Sequence, residues 1–158
     1  RGEVFKLWVD HGKRPKGASY QYVVLPSVSE KDLEIFSQNN PLEIVANNKD
    51  IQGVWHKGLQ IAEVVFYSAG DIQIDGGIRI AIDSPGVMLV KTVGGVIKSI
   101  SVADPSRKLK RIHLTINKQI SSGGNSYSVL WDKERGISEV AIDLPETVYA
   151  GSTTTINF

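Results

Sequence analysis

Apolar and polar residues alternate with a period of two over most of this chain, the repeat of a strand with one face in a core and the other in water. At the start, Phe5, Leu7 and Val9 share one face and Val4, Lys6 and Trp8 the other. Both faces hold apolar members, so residues 3–10 are predicted to lie inside a sheet. A segment with two Gly, one Pro and four basic residues follows, and Tyr20 to Leu25 is again rich in aromatic and β-branched residues. The pair reads as a hairpin with a long basic loop.

The period changes once. After Pro26, Ser29 stands at a cap position, Asp32 at the capping-box position, and Leu33 and Phe36 on one apolar face. This predicts a single short helix ending in the breaker cluster Gln38-Asn39-Asn40-Pro41. A domain boundary is placed there, giving 1–40 and 41–158.

From Leu42 onward strand follows strand at the spacing of a sandwich or barrel. The candidates are 42–46, 51–56, 60–67, 78–82, 87–93, 96–102, 109–116, 127–131, 137–143 and 153–158. Breakers between them include Asn47-Asn48, Gly76-Gly77, Ser84-Pro85-Gly86, Gly94-Gly95, Asp104-Pro105 and residues 121–126, the last read as a hairpin loop. With no helices to serve as crossovers, the sheets are expected to be antiparallel. The expected class is all-β: an antiparallel β-sandwich preceded by the last hairpin and a short helix of a larger β sandwich.

Composition narrows the function. The 158 residues are 41% hydrophobic and 22% charged, with 18 basic against 17 acidic side chains. That is the balance of a globular protein with a core and without the electrostatic footprint of a nucleic-acid or membrane-surface partner. No apolar run approaches the roughly 20 residues of a membrane helix. The chain has no cysteine, which removes disulfides and thiol chemistry. It begins without an initiator Met or a signal-peptide pattern, and reads as cut from something longer.

Candidate chemistry is sparse. His11, His56 and His113 are isolated from one another and from carboxylates at ligand spacing, so no metal ligand set and no cofactor is expected. A calcium site built from Asp71, Asp75 and neighbouring carbonyls is the alternative to plain turn carboxylates. There is no nucleophile elbow and no phosphate cradle. Cations and aromatics converge at one place: the loop of His11, Lys13, Arg14 and Lys16, flanked by Trp8, Tyr20 and Tyr22. Such a patch suits an acidic sugar, with charge for the carboxylate or sulfate and ring faces for the pyranose. A solvated turn is the alternative. Trp55 and Trp131 are either core residues or, on an exposed face, sugar-stacking platforms.

Three stretches carry a family likeness. "DHGKRPKGASYQYVVLP", residues 10–26, resembles the H-G-x-x-P and Y-x-Y-x-x-x-P pattern of polysaccharide lyase family 8, through His11, Gly12, Pro15, Tyr20, Tyr22 and Pro26. "LEIVANNKDIQGVWH", residues 42–56, is similar to the opening of that family's C-terminal domain through Asn47, Gln52, Val54 and His56. "ISVADPSRK", residues 100–108, resembles its strand ending in a D-P-T/S turn, here Ala103, Asp104, Pro105 and Ser106.

The resemblance implies a three-part enzyme, an α/α toroid followed by a large central β sandwich and a smaller C-terminal one, that cleaves acidic polysaccharides such as chondroitin sulfate, hyaluronan or xanthan by β-elimination. Residues 1–40 correspond to the last hairpin and linker helix of the central domain, and 41–158 to the C-terminal sandwich. The family's catalytic Asn, His, Tyr and Arg belong to the helical domain, so no catalytic residue is carried over and His11 is not the family's catalytic histidine. The implied partners are the remaining domains of the parent and its acidic polymer, and the implied location is secreted or periplasmic. The competing readings are an independent carbohydrate-binding module and a purely structural sandwich.

Overall fold

The computed structural model of the chain describes residue 6, residues 8–120 and residues 124–158. It divides into two compact units, Arg1–Asn39 and Asn40–Phe158. Most of the strand predicted over residues 3–10 lies outside the described residues, and residues 8–10 carry no strand.

In the first unit the helix forms where the capping signal stands. Helix α1 spans Glu30–Gln38. The Ser29 hydroxyl accepts the Asp32 N–H at 3.2 Å and donates to the Asp32 carboxylate at 2.6 Å, fixing the first turn. At the other end the Asn39 N–H and side-chain amide both donate to the Ile35 carbonyl, at 3.0 and 3.2 Å. No residue of α1 is buried. Residues 20–25 correct the sequence reading: they join no ladder. Alternation marks a segment that can form a strand, but a strand also needs a neighbouring backbone, and no described segment pairs with this one.

The second unit is an eleven-stranded antiparallel sandwich. A six-stranded sheet is built from β1 (Leu42–Asn47), β2 (Ile51–His56), β3 (Ile61–Phe66), β6 (Gly86–Val93), β7 (Val96–Ala103) and β11 (Thr154–Asn157), in that order. The other sheet has the order β4, β5, β8, β10, β9, from Gly70–Ile74, Ile78–Ile82, Arg111–Ile116, Ile137–Asp143 and Tyr127–Asp132. Each of the ten predicted strands from Leu42 onward is present; β4 was not predicted. In it Ile72 and Ile74 face the core while Asp71, read as a turn residue, lies on the strand.

A second correction concerns residues 117–126, of which 121–123 lie outside the described residues. β8 and β9 do not pair, because β10 runs between them and hydrogen-bonds to both. The connection is therefore not a hairpin loop.

The inner faces interdigitate in one core. Val64, Phe66, Met88, Val90, Ile100 and Val102 come from one sheet, and Ile72, Ile80, Ile112, Leu114, Ile116, Val140 and Ile142 from the other, all buried. A bulge in β1 between Ile44 and Ala46 adds Val45, which packs against this core. The chain passes between sheets four times. One of these passages, from β7 to β8, is organised by Asp104, which is 3% exposed. Its Oδ1 accepts the Ser106 N–H at 2.8 Å, and its Oδ2 the Lys108 and Leu109 N–H groups at 2.7 Å each.

Candidate functional site

The basic loop belongs to the first unit and is fully exposed. Asp10 starts it by accepting the Gly12 N–H at 2.7 Å, and Gly12, Arg14 and Gly17 take positive φ angles of 70°, 56° and 64°. Such a succession of left-handed residues lets a short segment carry His11, Lys13, Arg14 and Lys16 together. The rings of His11 and Tyr20 stand 6.0 Å apart, and those of Tyr20 and Tyr22 lie nearly parallel at 6.3 Å. The alternation of residues 20 and 22 thus puts two tyrosines on one side of the chain, with His11 beside them. Trp8 is 78% exposed. Cations and ring faces are thus available within one exposed segment.

The second unit carries a groove of about 830 Å³ at one corner of the sandwich. Its walls are β1 and the end of β2, the β2–β3 turn, the end of β4, and the glycine turns Gly76-Gly77 and Gly94-Gly95. Glu43 pairs across the ladder with Trp55 and so faces the inner side of its sheet, where its neighbours are apolar. It is not buried: its carboxylate meets the Lys57 ammonium at 3.1 Å, and both side chains are more than half exposed. An inward-facing ion pair at a corner keeps the two sheets from closing there, which leaves the groove open to water. This groove was not anticipated, since Glu43 reads in sequence as an ordinary outward residue; the bulge at Val45 that sets its surroundings has no sequence signal.

The other candidate groups are scattered. The His56 Nδ1 accepts the Leu59 N–H at 3.1 Å in the β2–β3 turn, His113 is exposed on β8, and His11 is on the basic loop. Asp71 bonds the Arg79 guanidinium at 2.8 Å, a contact that raises the arginine pKa through the hydrogen bond and the charge. Asp75 begins the turn at residues 75–77. Among the described residues no group of three or more His, Asp or Glu stands close enough to hold a metal ion. Trp55 is 4% exposed. Trp131 is half-buried and sits opposite the fully buried Ser138, on the core side of β9 with Tyr127 and Val129. Neither lies on an outer sheet face, where a sugar ring could stack.

Comparison with known families gives two matches in order along the chain. Residues 1–36 match the polysaccharide lyase family 8 super-sandwich domain, and residues 43–113 the family's C-terminal β-sandwich domain. A chondroitinase-AC from Pedobacter heparinus is 33% identical over 153 residues, which cover 96% of this chain and 20% of that enzyme. A hyaluronate lyase from Thermasporomyces composti is 25% identical over 148 residues, 93% of this chain and 18% of that one. Among solved structures, a chondroitinase AC lyase studied as oligosaccharide complexes superposes with a TM-score of 0.69 at 31% identity, over 90% of this chain and 19% of that one. The chain thus spans about a fifth of the length of these relatives.

Proposed function

The chain belongs to polysaccharide lyase family 8, and from that membership we propose that it is the C-terminal, non-catalytic part of a lyase that degrades acidic polysaccharides by β-elimination. The observation that carries the reading is the order of the two domain matches: the super-sandwich match ends at residue 36, and the C-terminal sandwich match begins at residue 43. On this reading residues 1–40 finish the parent's central sandwich, and the exposed strand-like segment at 20–25 and the unburied α1 are elements whose partners belong to that domain. Residues 41–158 are the C-terminal sandwich, which supports the catalytic domains.

β-Elimination needs a group to neutralise the uronate carboxylate and a base for the proton next to it. The family resemblance puts the catalytic Asn, His, Tyr and Arg on the helical domain, whereas both family matches of this chain are to β-sandwich domains. Catalysis is therefore assigned to the rest of the parent. The loop of His11, Lys13, Arg14 and Lys16 is assigned to holding the polymer, because it offers cations and ring faces together. Polymers of this kind are met outside the cytoplasm, which makes the parent secreted or periplasmic. The independent carbohydrate-binding module loses support from the inward orientation of Trp55 and Trp131.

The test is to incubate the purified chain with chondroitin sulfate, hyaluronan and xanthan and follow the ultraviolet absorbance of the unsaturated uronate product. Absorbance stays flat if the reading is right. A steady rise, with full-length enzyme shown to be absent, places a catalytic site in this chain and overturns it.

A further inference from the structure

The corner groove of the second unit is more ordered than its exposed position requires. Its two facing turns are pairs of glycines, all four at positive φ, and each turn is held by an amide side chain from a distant part of the chain. The Gln60 Oε1 accepts the Gly94 N–H at 2.9 Å, while the Asn117 Nδ2 donates to the Gly77 carbonyl at 2.9 Å. Gln60 itself has a φ of 53°, a conformation that costs a non-glycine residue about 1 kcal/mol or more. Its carbonyl also accepts the Thr92 N–H at 2.9 Å. Two turns of bare backbone are thus set at fixed positions around one opening.

The groups facing that opening are unspent. The Gln60 side-chain NH2 and the Asp75 carboxylate make no hydrogen bond among the described residues, and both residues line the groove, while Gln73, on the outward face of β4, belongs to its rim. Glu43 and Lys57 satisfy each other at 3.1 Å. Ile44 and Val45 supply an apolar side. The volume, about 830 Å³, falls in the range of small-ligand clefts. The charge decides the ligand class: with Glu43 neutralised by Lys57, Asp75 leaves one net negative charge, which repels a carboxylate or sulfate and accepts hydroxyl hydrogens.

We propose that this groove is a binding site for an uncharged saccharide, with Gln60 and Asp75 hydrogen-bonding its hydroxyl or amide groups. Its residues all belong to the second unit, and the proposal does not rest on the chain's assignment to a lyase. The groove selects against the uronate units that the basic loop is assigned to hold.

The test is a nuclear magnetic resonance titration of the ¹⁵N-labelled chain with N,N′-diacetylchitobiose and cellobiose, and separately with an unsaturated chondroitin disaccharide as the anionic comparator. Saturable shifts of the Gly76, Gly77, Gly94 and Gly95 amides and of the Trp55 indole N–H are expected with at least one neutral sugar. Asp75→Ala, which removes a side chain without partners among the described residues, is expected to keep the melting temperature and weaken that binding at least tenfold. Asp75→Asn is expected to let the anionic disaccharide in. No saturable shift with either neutral sugar, binding unaffected by Asp75→Ala, or tighter binding of the anionic disaccharide by the unaltered chain would each overturn the proposal.

Discussion

Removing the charge of Asp104 tests whether one carboxylate organises the passage between the two sheets. Burial alone would push this carboxyl up, but hydrogen bonds from the Ser106 hydroxyl and from the Leu109, Lys108 and Ser106 N–H groups outweigh it, and the pKa falls from 3.8 to about 2. That difference is worth about 2 kcal/mol of stability at neutral pH, from 1.36 kcal/mol per unit. Asp104→Asn preserves the shape but replaces one acceptor oxygen with an NH2 facing a backbone N–H, so its cost at pH 7 is at least this amount. Asp104→Ala strands three N–H groups in a loop whose Leu109 packs against the core, and costs more, about 3–4 kcal/mol. For a domain of this size a loss of about 2 kcal/mol lowers the melting temperature by about 8 °C.

The pH dependence separates charge from shape. The folded pKa lies below the unfolded one, so the stabilisation is complete above about pH 5 and disappears as the pH falls from about 4 through 2. Denaturant unfolding of the unaltered chain and of Asp104→Asn, measured side by side from pH 7 down to the lowest pH at which both still fold, gives the difference directly, and every other carboxylate cancels in it. The gap is expected to be about 2 kcal/mol at pH 7 and to narrow steadily below pH 4. A gap under about 1 kcal/mol at pH 7, or one that stays constant as the pH falls, would refute the argument.

Two further perturbations probe the core, each read from urea denaturation midpoints. Thr92 is fully buried and its hydroxyl has no hydrogen-bond partner among the described residues, so Thr92→Val, which keeps the volume and removes the unpaired group, is expected to stabilise the chain by about 1 kcal/mol; a destabilisation would mean that the hydroxyl has a partner in solution. A Cβ at Gly53 would stand 2.9 Å from the Val45 Cγ2 and 3.4 Å from the Val64 Cγ1, so Gly53→Ala is expected to cost about 1–3 kcal/mol, whereas Gly58→Ala, which meets only the His56 ring at 3.5 Å, stays close to the unaltered chain.

What the sequence disclosed follows the physics of each signal. Strands with one buried face, such as Arg111–Ile116 and Ile137–Asp143, were legible because burial imposes the two-residue period directly on the residue types. The start of α1 was legible because Ser29 caps by a local hydrogen bond. β4 escaped because its outward residues, Asp71 and Gln73, stand beside Gly70 and Asp75, a composition shared with turns; the inward pair Ile72 and Ile74 carried the strand. The order β8-β10-β9 escaped for a different reason. Sequence proximity favours pairing of consecutive strands, and nothing in residues 117–126 encodes that β10 inserts between its predecessors.

The same distinction explains the two candidate sites. The basic loop was visible because its charges are adjacent in sequence, whereas the groove joins β1, β2, β4 and two turns from residue 43 to residue 95 and exists only once the sheets stack. The resemblance to the lyase family drew on both kinds of information. Its "ADPS" segment, residues 103–106, is a local string, yet the structure gives it a three-dimensional reason: Asp104 gathers the backbone of residues 106–109 as the chain leaves β7 in one sheet for β8 in the other. Leu109, drawn in by that carboxylate, covers the core at the crossing. Such a residue is recognisable in the sequence because a single side chain does the work that elsewhere takes a ladder of backbone bonds. The groove-lining residues lack any such signature, since Glu43, Gln73 and Asp75 each look like ordinary surface positions until the fold sets them around one opening.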